Sequence, residues 1–198
     1  MPTFSAAMLR ILDENGISYG TDIINIITPL GMAGCAAYFI GLGVKKTVAE
    51  LLADMENYMA QAYFHRIPAK KNVIETLRTL KEQGADLNVL TASPHVTLDA
   101  CLKRLGIYDL FTNVWSCNDF HTTKSDPDIY KRVAACLGRP VEQILFLDDN
   151  LEADTTAKTA GMKVCGVFDP SSAQHAERIK AVADYYIEDF EQLLQLQF

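Results

Sequence analysis

The sequence predicts an α/β protein in which an all-helical module precedes a core built on a parallel sheet. Two observations support this prediction. Residues 1–67 show helical periodicity throughout, whereas from Pro68 onward short apolar runs alternate with longer helical segments. Such alternation is typical of βαβ units, whose strands pair in parallel and whose helices cover the sheet. We therefore expect a helical module over residues 1–67 and an α/β core over residues 68–198.

The helical module contains two well-marked helices. Apolar side chains recur on one helical face between Phe4 and Leu12, and Gly16 is placed to end that helix. Thr47 and Glu50 have the spacing of a capping box, which marks the start of another helix. The apolar stripe of that helix consists of Val48, Leu51, Leu52, Met55, Tyr58, Met59 and Ala62. No strand is predicted in this module.

The core is predicted to contain short apolar strands separated by helices. The strands are expected at Leu87–Leu90, Asn113–Ser116, Ile144–Leu147, Val164–Val167 and Tyr185–Ile187. The intervening helices are expected to end near Gly84, Gly106, Gly138 and Gly161. Ser93 and Pro94 are expected to be the N-cap and the first residue of the helix that follows the first strand.

Composition and charge exclude several classes of protein. Apolar residues make up 49% and charged residues 22% of the 198 positions, which is typical of soluble globular proteins. The net charge of −7 argues against a nucleic-acid partner. The stretch Ile23–Val44 contains Pro29 and four glycines, so it is not expected to span a membrane. The five cysteines have no C-x-x-C spacing, and we therefore expect reduced thiols in a cytoplasmic protein.

Two polar segments follow predicted strands at the carboxyl edge, where ligands bind in open parallel sheets. Thr91-Ala92-Ser93 supplies a hydroxyl and backbone N–H groups at a helix start, which suits phosphate. A Ser-Pro cap without a ligand is the alternative interpretation. Asp148-Asp149 places adjacent carboxylates together, which is costly unless a cation compensates them, and oxygen ligands suit Mg²⁺. The alternative here is that one of them only caps the next helix.

A third segment contains Lys124 in a loop ahead of a helix. Asp126 can cap this helix and Pro127 can begin it. A lone lysine in a loop is usually solvent-exposed. Lys124 therefore becomes informative only through its order in the chain relative to the other two segments.

The three segments, in this order, resemble motifs of the haloacid dehalogenase superfamily of phosphohydrolases. Thr91 matches the second motif, and Lys124 in K-S-D-P-D-I-Y matches the third. Asp148 and Asp149, with Asp154 close behind, match the fourth motif. The spacing to the following Ala-Gly-Met places Asp149 on the metal-binding aspartate of that motif.

The resemblance extends over the whole chain and implies both fold and function. The core is expected to be Rossmann-like, and residues 1–67 resemble the helical cap of the phosphoglycolate phosphatase and β-phosphoglucomutase branch. The implied activity is that of a Mg²⁺-dependent phosphatase that hydrolyses a small phosphorylated metabolite through an aspartyl-phosphate. Lys124 and Thr91 would be catalytic, and with Ala92 and Ser93 they would bind the phosphate. The implied metal-binding residues are Asp148, Asp149 and Asp154.

The first motif of the family, D-x-D-G-T, is absent from the sequence. That motif supplies the nucleophile and the general acid in the family. The nearest match, residues 13–16, ends a helix and has no apolar strand before it. In relatives the motif precedes a stretch similar to residues 1–7, so we expect the chain to begin after the nucleophile and the central strand. A misassigned start codon, a truncation and a degenerate gene all fit this expectation.

The absent strand has a structural consequence. In the family it lies between the strands that here end at Leu90 and Leu147, so its absence predicts a break in the sheet with two unpaired edges. We expect the chain to be unstable, or to recruit a substitute strand from a neighbouring molecule or from its own N-terminus.

Two alternative functions stay open. A phosphosugar mutase of the same branch uses the same core but needs a second phosphate site. A non-catalytic phosphate-binding or regulatory protein is consistent with the absent first motif. In each case we expect a monomer or a weak homodimer, without a nucleic-acid or membrane partner.

Overall fold

The structure is a computed structural model that describes residues 2–196. It divides into two compact units, and the boundary lies between Ile67 and Pro68, where the hydrophobic pattern of the sequence changes. Met1, the first residue of the stretch compared with the relatives, lies outside the described residues, as do residues 197–198.

The N-terminal unit is helical. Its helices are α1 (Pro2–Glu14), α2 (Ile23–Ile27), α3 (Gly31–Gly41) and α4 (Val48–His65). The described part of this unit, residues 2–67, contains no strand. Helix α4 packs against both α1 and α3, and Met8, Phe39 and Leu51 are fully buried in the apolar cluster that these helices form.

The predicted helix signals of this unit are present in the structure. Helix α1 ends at Glu14, and Gly16 takes the left-handed conformation, with φ of +66°. Thr47 and Glu50 form the capping box: Thr47 Oγ1 accepts a hydrogen bond from Glu50 N, and Glu50 Oε2 accepts one from Thr47 N. The predicted stripe on α4 is wrong at Val48, which is exposed.

The C-terminal unit is α/β. Its strands are β1 (Asn88–Thr91), β2 (Asn113–Ser116), β3 (Leu145–Asp148), β4 (Lys163–Val167) and β5 (Tyr185–Ile187). Its helices are α5 (Val73–Glu82), α6 (His95–Arg104), α7 (Pro127–Leu137), α8 (Leu151–Ala160) and α9 (Ala176–Val182). Each strand lies within one residue of the predicted run at both ends.

Helix α6 begins later than the sequence predicts. Thr91 Oγ1 accepts a hydrogen bond from Ser93 N at 3.2 Å, which closes a turn directly after β1. Pro94 then has an extended conformation, so the helix starts at His95. The expectation that Ser93 and Pro94 are the N-cap and first helical residue is therefore wrong by one position, because the Thr91 turn lengthens the connection.

The strand pairs of the described residues are all parallel, but they form two separate sheets. Strand β1 pairs with β2, so that Thr91 lies opposite Ser116. Strand β3 pairs with β4, and β4 with β5, so that Asp148 lies opposite Gly166. No ladder joins β1 to β3 in the described chain. The expected break in the sheet is therefore present, and the helical residues 2–67 provide no substitute strand.

The break leaves apolar strand residues partly exposed. All residues of β1 and β3, among them Leu90, Leu145 and Leu147, are only partly buried, whereas Val164–Val167 in β4 is buried. Strands inside a parallel sheet that is covered on both faces are normally buried. Backbone groups on the unpaired edges of β1 and β3 also lack a ladder partner, which costs free energy wherever water cannot reach them.

One hydrophobic cluster brings together residues from both sheets and from the helices α7 and α8. Leu90 of β1 and Trp115 of β2 pack against a cluster that also contacts Phe146 of β3 and includes Val164 of β4. Helices α7 and α8 supply most of this cluster, and Tyr130 is its largest fully buried side chain. A single apolar layer therefore spans the break between the two sheets.

The packing of α9 against β4 depends on Gly166. A Cβ atom at this position would overlap Cγ2 of Ile179 and would lie 2.9 Å from the ring of Tyr186. Gly166 is also the register partner of Asp148, the last residue of β3. Glycine thus allows the helix to approach the backbone beside the end of β3.

The unpaired edges make a prediction for amide hydrogen exchange. We expect the amides of β4, which is paired on both sides, to be the best protected in the α/β unit. Amides of β1 and β3 that point towards the unpaired edges should exchange much faster. The measurement is residue-resolved exchange at several protein concentrations, since protection of these edges that rises with concentration would reveal pairing between molecules. Equal protection of β1, β3 and β4 in dilute protein would contradict the split sheet.

Candidate active site

An ion pair joins the end of β3 to the loop that follows β2. Lys124 Nζ lies 2.5 Å from Asp148 Oδ2, and the two side chains are 23% and 9% exposed. Lys124 belongs to the β1–β2 side of the break, whereas Asp148 is the last residue of β3. The contact therefore brings the carboxyl ends of the two sheets together, and it unites two residues that the sequence predicts for one site.

Tyr130 fixes the Lys124 loop from beneath. Its hydroxyl donates to the carbonyl oxygens of Lys124, at 2.9 Å, and of Ala153 in α8, at 3.1 Å. Burial, with Asp148 nearby, raises the pKa of Tyr130 well above its ordinary value, so the hydroxyl stays a donor. Asp126 caps α7 as predicted, because its Oδ1 accepts a hydrogen bond from Asp128 N.

The adjacent carboxylates of Asp148 and Asp149 have different environments. Asp148 Oδ1 accepts hydrogen bonds from the N–H groups of Asp149, at 2.9 Å, and Asn150, at 3.0 Å, so Asp148 is saturated with partners. The Asp149 side chain is 40% exposed, and the nearest recorded cation, Lys70 Nζ, lies 3.9 Å from its Oδ2. Of the two, Asp149 is therefore the carboxylate that is open to a ligand.

Asn150 is the residue that caps the next helix. Its Oδ1 accepts hydrogen bonds from Glu152 N and Ala153 N at the start of α8. Asparagine is among the best N-cap residues, so an asparagine directly before a predicted helix is the sequence pattern that indicates this cap. The alternative that Asp148 or Asp149 caps the next helix is therefore wrong, because Asn150 is the cap.

Asp154 is buried beneath this loop without a partner. The residue is 0% exposed, and neither carboxylate oxygen has a hydrogen-bond partner within residues 2–196. Burial, with Asp148 and Asp149 close by, raises the pKa of Asp154 to about 8. A carboxylate in such a place is stable only when it is protonated or when a cation lies near it.

The oxygen donors of this site fit Mg²⁺. The described part of the chain has no ready-made cluster of three or more His, Cys, Asp or Glu side chains. Mg²⁺ does not require one, because it usually takes one or two protein carboxylates and completes its shell with water and phosphate oxygens. The open Asp149 and the unpartnered Asp154 are therefore compatible with that metal.

Two charged residues near Asp149 were not predicted from the sequence. They are Lys70, which precedes α5, and Asp169, which follows β4. The distance from Lys70 Nζ to Asp169 Oδ2 is 2.5 Å. Burial raises the pKa of Asp169, but hydrogen bonds from Lys70 and Ser171 outweigh it and lower that pKa to about 2. Burial raises the pKa of Asp149 although Lys70 lies nearby. Lys70 and Asp169 are 99 positions apart, and no local pattern marks their contact.

The predicted phosphate loop lies at the end of β1. Thr91 is the last residue of that strand, and its hydroxyl accepts the hydrogen bond from Ser93 N described above. The N–H of Ser93 is thus already engaged with Thr91. Of the predicted phosphate-binding residues Thr91, Ala92 and Ser93, the Thr91 hydroxyl and Ala92 therefore remain as candidates for binding phosphate.

The pKa of Asp154 makes a prediction for stability. Between about pH 4 and pH 8 the folded protein keeps a proton on Asp154 that the unfolded chain releases, so metal-free stability falls as the pH rises through this window. Each pH unit can cost up to about 1.4 kcal/mol. We expect Asp154→Asn to lose less stability than the wild type between pH 5 and pH 8.5. Urea unfolding in the presence of a chelator measures this.

The matched control for that experiment is Asp128→Asn. Asp128 is an exposed aspartate in the first turn of α7, so the substitution removes the same kind of group from a solvated position. It should leave the pH dependence of the wild type unchanged. A pH dependence in Asp154→Asn as steep as that of the wild type would show that Asp154 does not hold the proton.

Comparison with known proteins adds three findings. Residues 6–161 match the haloacid dehalogenase-like hydrolase family. Pyrophosphatase PpaX of Bacillus velezensis is 26% identical over 159 residues, which cover 80% of this chain and 72% of that protein. Validoxylamine A 7'-phosphate phosphatase of Streptomyces hygroscopicus subsp. limoneus is 22% identical over 183 residues, which cover 92% of this chain and 84% of that one.

Solved structures show the same fold. The Bacillus subtilis protein YfnB, solved bound to magnesium, superposes with a TM-score of 0.81 at 15% identity, covering 98% of this chain and 90% of that one. The fold is thus a Rossmann-like α/β core with a helical cap. None of the helices in residues 2–196 is long and apolar enough to cross a membrane. Since the matched range spans most of the chain and contains all three candidate segments, the chain belongs to the haloacid dehalogenase-like hydrolases.

Proposed function

We propose that this chain carries the phosphate- and metal-binding apparatus of a Mg²⁺-dependent phosphohydrolase that acts on a small phosphorylated metabolite. One observation carries the proposal: the Lys124–Asp148 ion pair lies beside a buried carboxylate, Asp154, that has no partner in the described chain. Both groups lie at the carboxyl edge of a parallel sheet, where ligands bind. The Lys124 ammonium would bind a phosphate, and the uncompensated carboxylate would favour a metal cation.

Lys124 and the loop after β1 would bind the phosphoryl group. The Lys124 ammonium is held at a defined position by Asp148, and its backbone is held by Tyr130. Positioned cations and donors stabilise the charge on a transferring phosphoryl group, which is the main contribution that a protein makes to this reaction. The hydroxyl of Thr91 and the N–H of Ala92 would supply the remaining donors, since the N–H of Ser93 is engaged with Thr91.

Asp149 would be the principal metal ligand, with Asp154 and Asp148 behind it. Asp149 is open to solvent, whereas Asp148 is occupied by Lys124 and by two backbone N–H groups. When bound, Mg²⁺ would supply charge neutralisation and orientation of the phosphate oxygens. Asp148 would act mainly by orienting the metal loop and Lys124, as partners of metal ligands commonly do.

The nucleophile is not assigned to any residue of this chain. The family attack by a carboxylate on phosphorus requires the D-x-D-G-T aspartate, and the sequence has no such motif. The named residues can bind and polarise a phosphate, but they contain no free carboxylate with that role. We therefore infer that the 198-residue chain by itself is inactive as a phosphatase.

The substrate class is inferred from the relatives. The names of the two relatives specify a pyrophosphatase and a phosphatase of validoxylamine A 7'-phosphate, both of which act on phosphate groups. A non-catalytic phosphate-binding protein is the second candidate, since the absent first motif favours it. Both candidates need the same phosphate and metal residues, so only turnover separates them.

The activity prediction compares two versions of the protein. The 198-residue chain should not hydrolyse p-nitrophenyl phosphate, whereas a version with a D-x-D-G-T strand added before Met1 should do so with Mg²⁺. In the extended version Lys124→Ala should lower kcat/KM by a factor that corresponds to roughly 3–4 kcal/mol, while Lys131→Ala, on the exposed face of α7, should not. Equal, metal-dependent hydrolysis by the two versions would refute the inference of inactivity.

The metal prediction can be tested without turnover. Isothermal titration of the 198-residue chain with MgCl₂ should give binding that Asp149→Asn weakens by about tenfold or more. Asp148→Asn should weaken it less, because that side chain is already engaged with Lys124. Asp128→Asn should have no effect. If Asp148→Asn weakens Mg²⁺ binding more than Asp149→Asn does, the principal metal ligand is Asp148 and the assignment to Asp149 is wrong by one residue.

A further inference from the structure

His95 contacts two carboxylates at once. It is the first residue of α6, and its ring nitrogens Nδ1 and Nε2 each lie 2.9 Å from a carboxylate, Asp99 Oδ1 and Asp119 Oδ2. Asp99 lies one turn further along the same helix. Asp119 belongs to the short 3₁₀ segment Cys117–Phe120, which follows β2. The imidazole is therefore held by its own helix on one side and by a neighbouring loop on the other.

The protonation state of the ring decides whether both contacts are favourable. A neutral imidazole carries one N–H, so only one nitrogen donates and the other presents a lone pair. Ionised carboxylates can only accept hydrogen bonds. Both contacts are therefore satisfied only by the imidazolium. In agreement, hydrogen bonds to Asp99 and Asp119 raise the pKa of His95, and its slight desolvation does not cancel this effect.

The contact with Asp119 connects the two loops that we assign to phosphate. His95 lies two residues after Ser93, at the end of the loop that follows β1. Asp119 lies five residues before Lys124, and its Oδ2 also accepts a hydrogen bond from Ser116 N, the last residue of β2. A change in the His95–Asp119 contact therefore alters the connection between the Thr91 loop and the Lys124 loop.

We propose that His95, as the imidazolium, is a positioning residue that fixes the Lys124 loop relative to the Thr91–Ser93 loop. Deprotonation of His95 removes one of its two contacts and loosens this connection, so that anion binding weakens above the pKa of His95. This inference rests on the proposed function, because it takes the two loops as the phosphate site.

The charged groups around His95 are few. Helix α6 packs against β2, which contains no titratable residue, and against the 3₁₀ segment Tyr108–Leu110. Tyr108 of that segment lies at the far end of α6, where Lys103 Nζ is 4.7 Å from the centroid of its ring, and Asp109 is next to it in the chain. These groups are therefore remote from the first turn of the helix.

Among the described residues, His121 also acts on Asp119. Burial raises the pKa of Asp119, but hydrogen bonds from His95 and Ser116, together with the nearby His121, outweigh it and hold that pKa below its ordinary value. Asp119 therefore stays ionised throughout the range in which His95 titrates. The titration that switches the contact is accordingly that of the imidazole.

The first test measures the pKa of His95 by nuclear magnetic resonance of the 198-residue protein. We expect a value above the ordinary 6.5 for histidine, and a lower value in both Asp99→Asn and Asp119→Asn. A wild-type value at or below 6.5 would overturn the proposal, because the imidazolium would then not be the favoured form.

The second test uses those two variants as a matched pair. Each removes one negative charge beside His95, but only Asp119→Asn weakens the contact between the loops, because asparagine keeps a single, neutral acceptor oxygen there. At pH 6, amide exchange of residues 117–124 should be faster in Asp119→Asn than in Asp99→Asn. Sulfate, which does not titrate in this range, should bind about two- to fivefold more weakly to Asp119→Asn than to the wild type. Asp99→Asn should change sulfate affinity by less than twofold.

The outcomes separate this inference from the proposed function. Equal effects of the two substitutions on exchange and on sulfate would overturn the positioning role, since charge alone would explain them. If loop exchange follows His95 protonation but sulfate does not bind to any of the proteins, the connection made by His95 is supported and the assignment of a phosphate site is refuted. The Asp99 and Asp119 side chains are 29% and 36% exposed and asparagine has the same size as aspartate, so we expect both variants to fold.

Discussion

The Lys124–Asp148 ion pair joins two parallel sheets that share no backbone ladder in the described chain. Asp148 is nearly buried, so removing Lys124 would leave a carboxylate that two backbone N–H groups compensate only in part. Apolar packing across the break supplies cohesion, but it has no directional preference. The ion pair, together with the hydrogen bonds from Tyr130 to Lys124 and Ala153, supplies directional contacts between the carboxyl edges.

Neighbouring aspartates have different environments because a strand ends between them. Asp148 is the last residue of β3 and accepts hydrogen bonds from the backbone that follows it, whereas Asp149 lies beyond the strand and is open to solvent. Asp154, one turn into α8, is buried under both. Three carboxylates within seven positions therefore differ in exposure and in partners, and the proposed division between positioning and ligand binding rests on this difference.

The strands were predictable from the sequence because each is a short apolar run, and before β1 to β4 the preceding helix is followed by a glycine with positive φ. The break in the sheet was also expected, because the sequence contains no further apolar run predicted as a strand to lie between the strands that end near Leu90 and Leu147. The start of α6 was not, because a hydrogen bond between Thr91 and Ser93 moves it. In the site, Lys124 and Asp148 were identified individually, but their contact spans 24 positions. Lys70 contacts Asp169, 99 positions away, and His95 contacts Asp119, 24 positions away, so no local pattern marks either contact.

Gly166 shows how a residue without a functional group can limit the evolution of the site. It has no side chain to bind or react, yet α9 lies so close to it that any larger residue must displace Ile179 or Tyr186. Gly166 is also paired with Asp148 across the sheet, so a shift of β4 at this position would reach the residue that binds Lys124. A mutational scan should therefore find this glycine nearly as intolerant as the charged residues, although its contribution is the volume that it leaves empty.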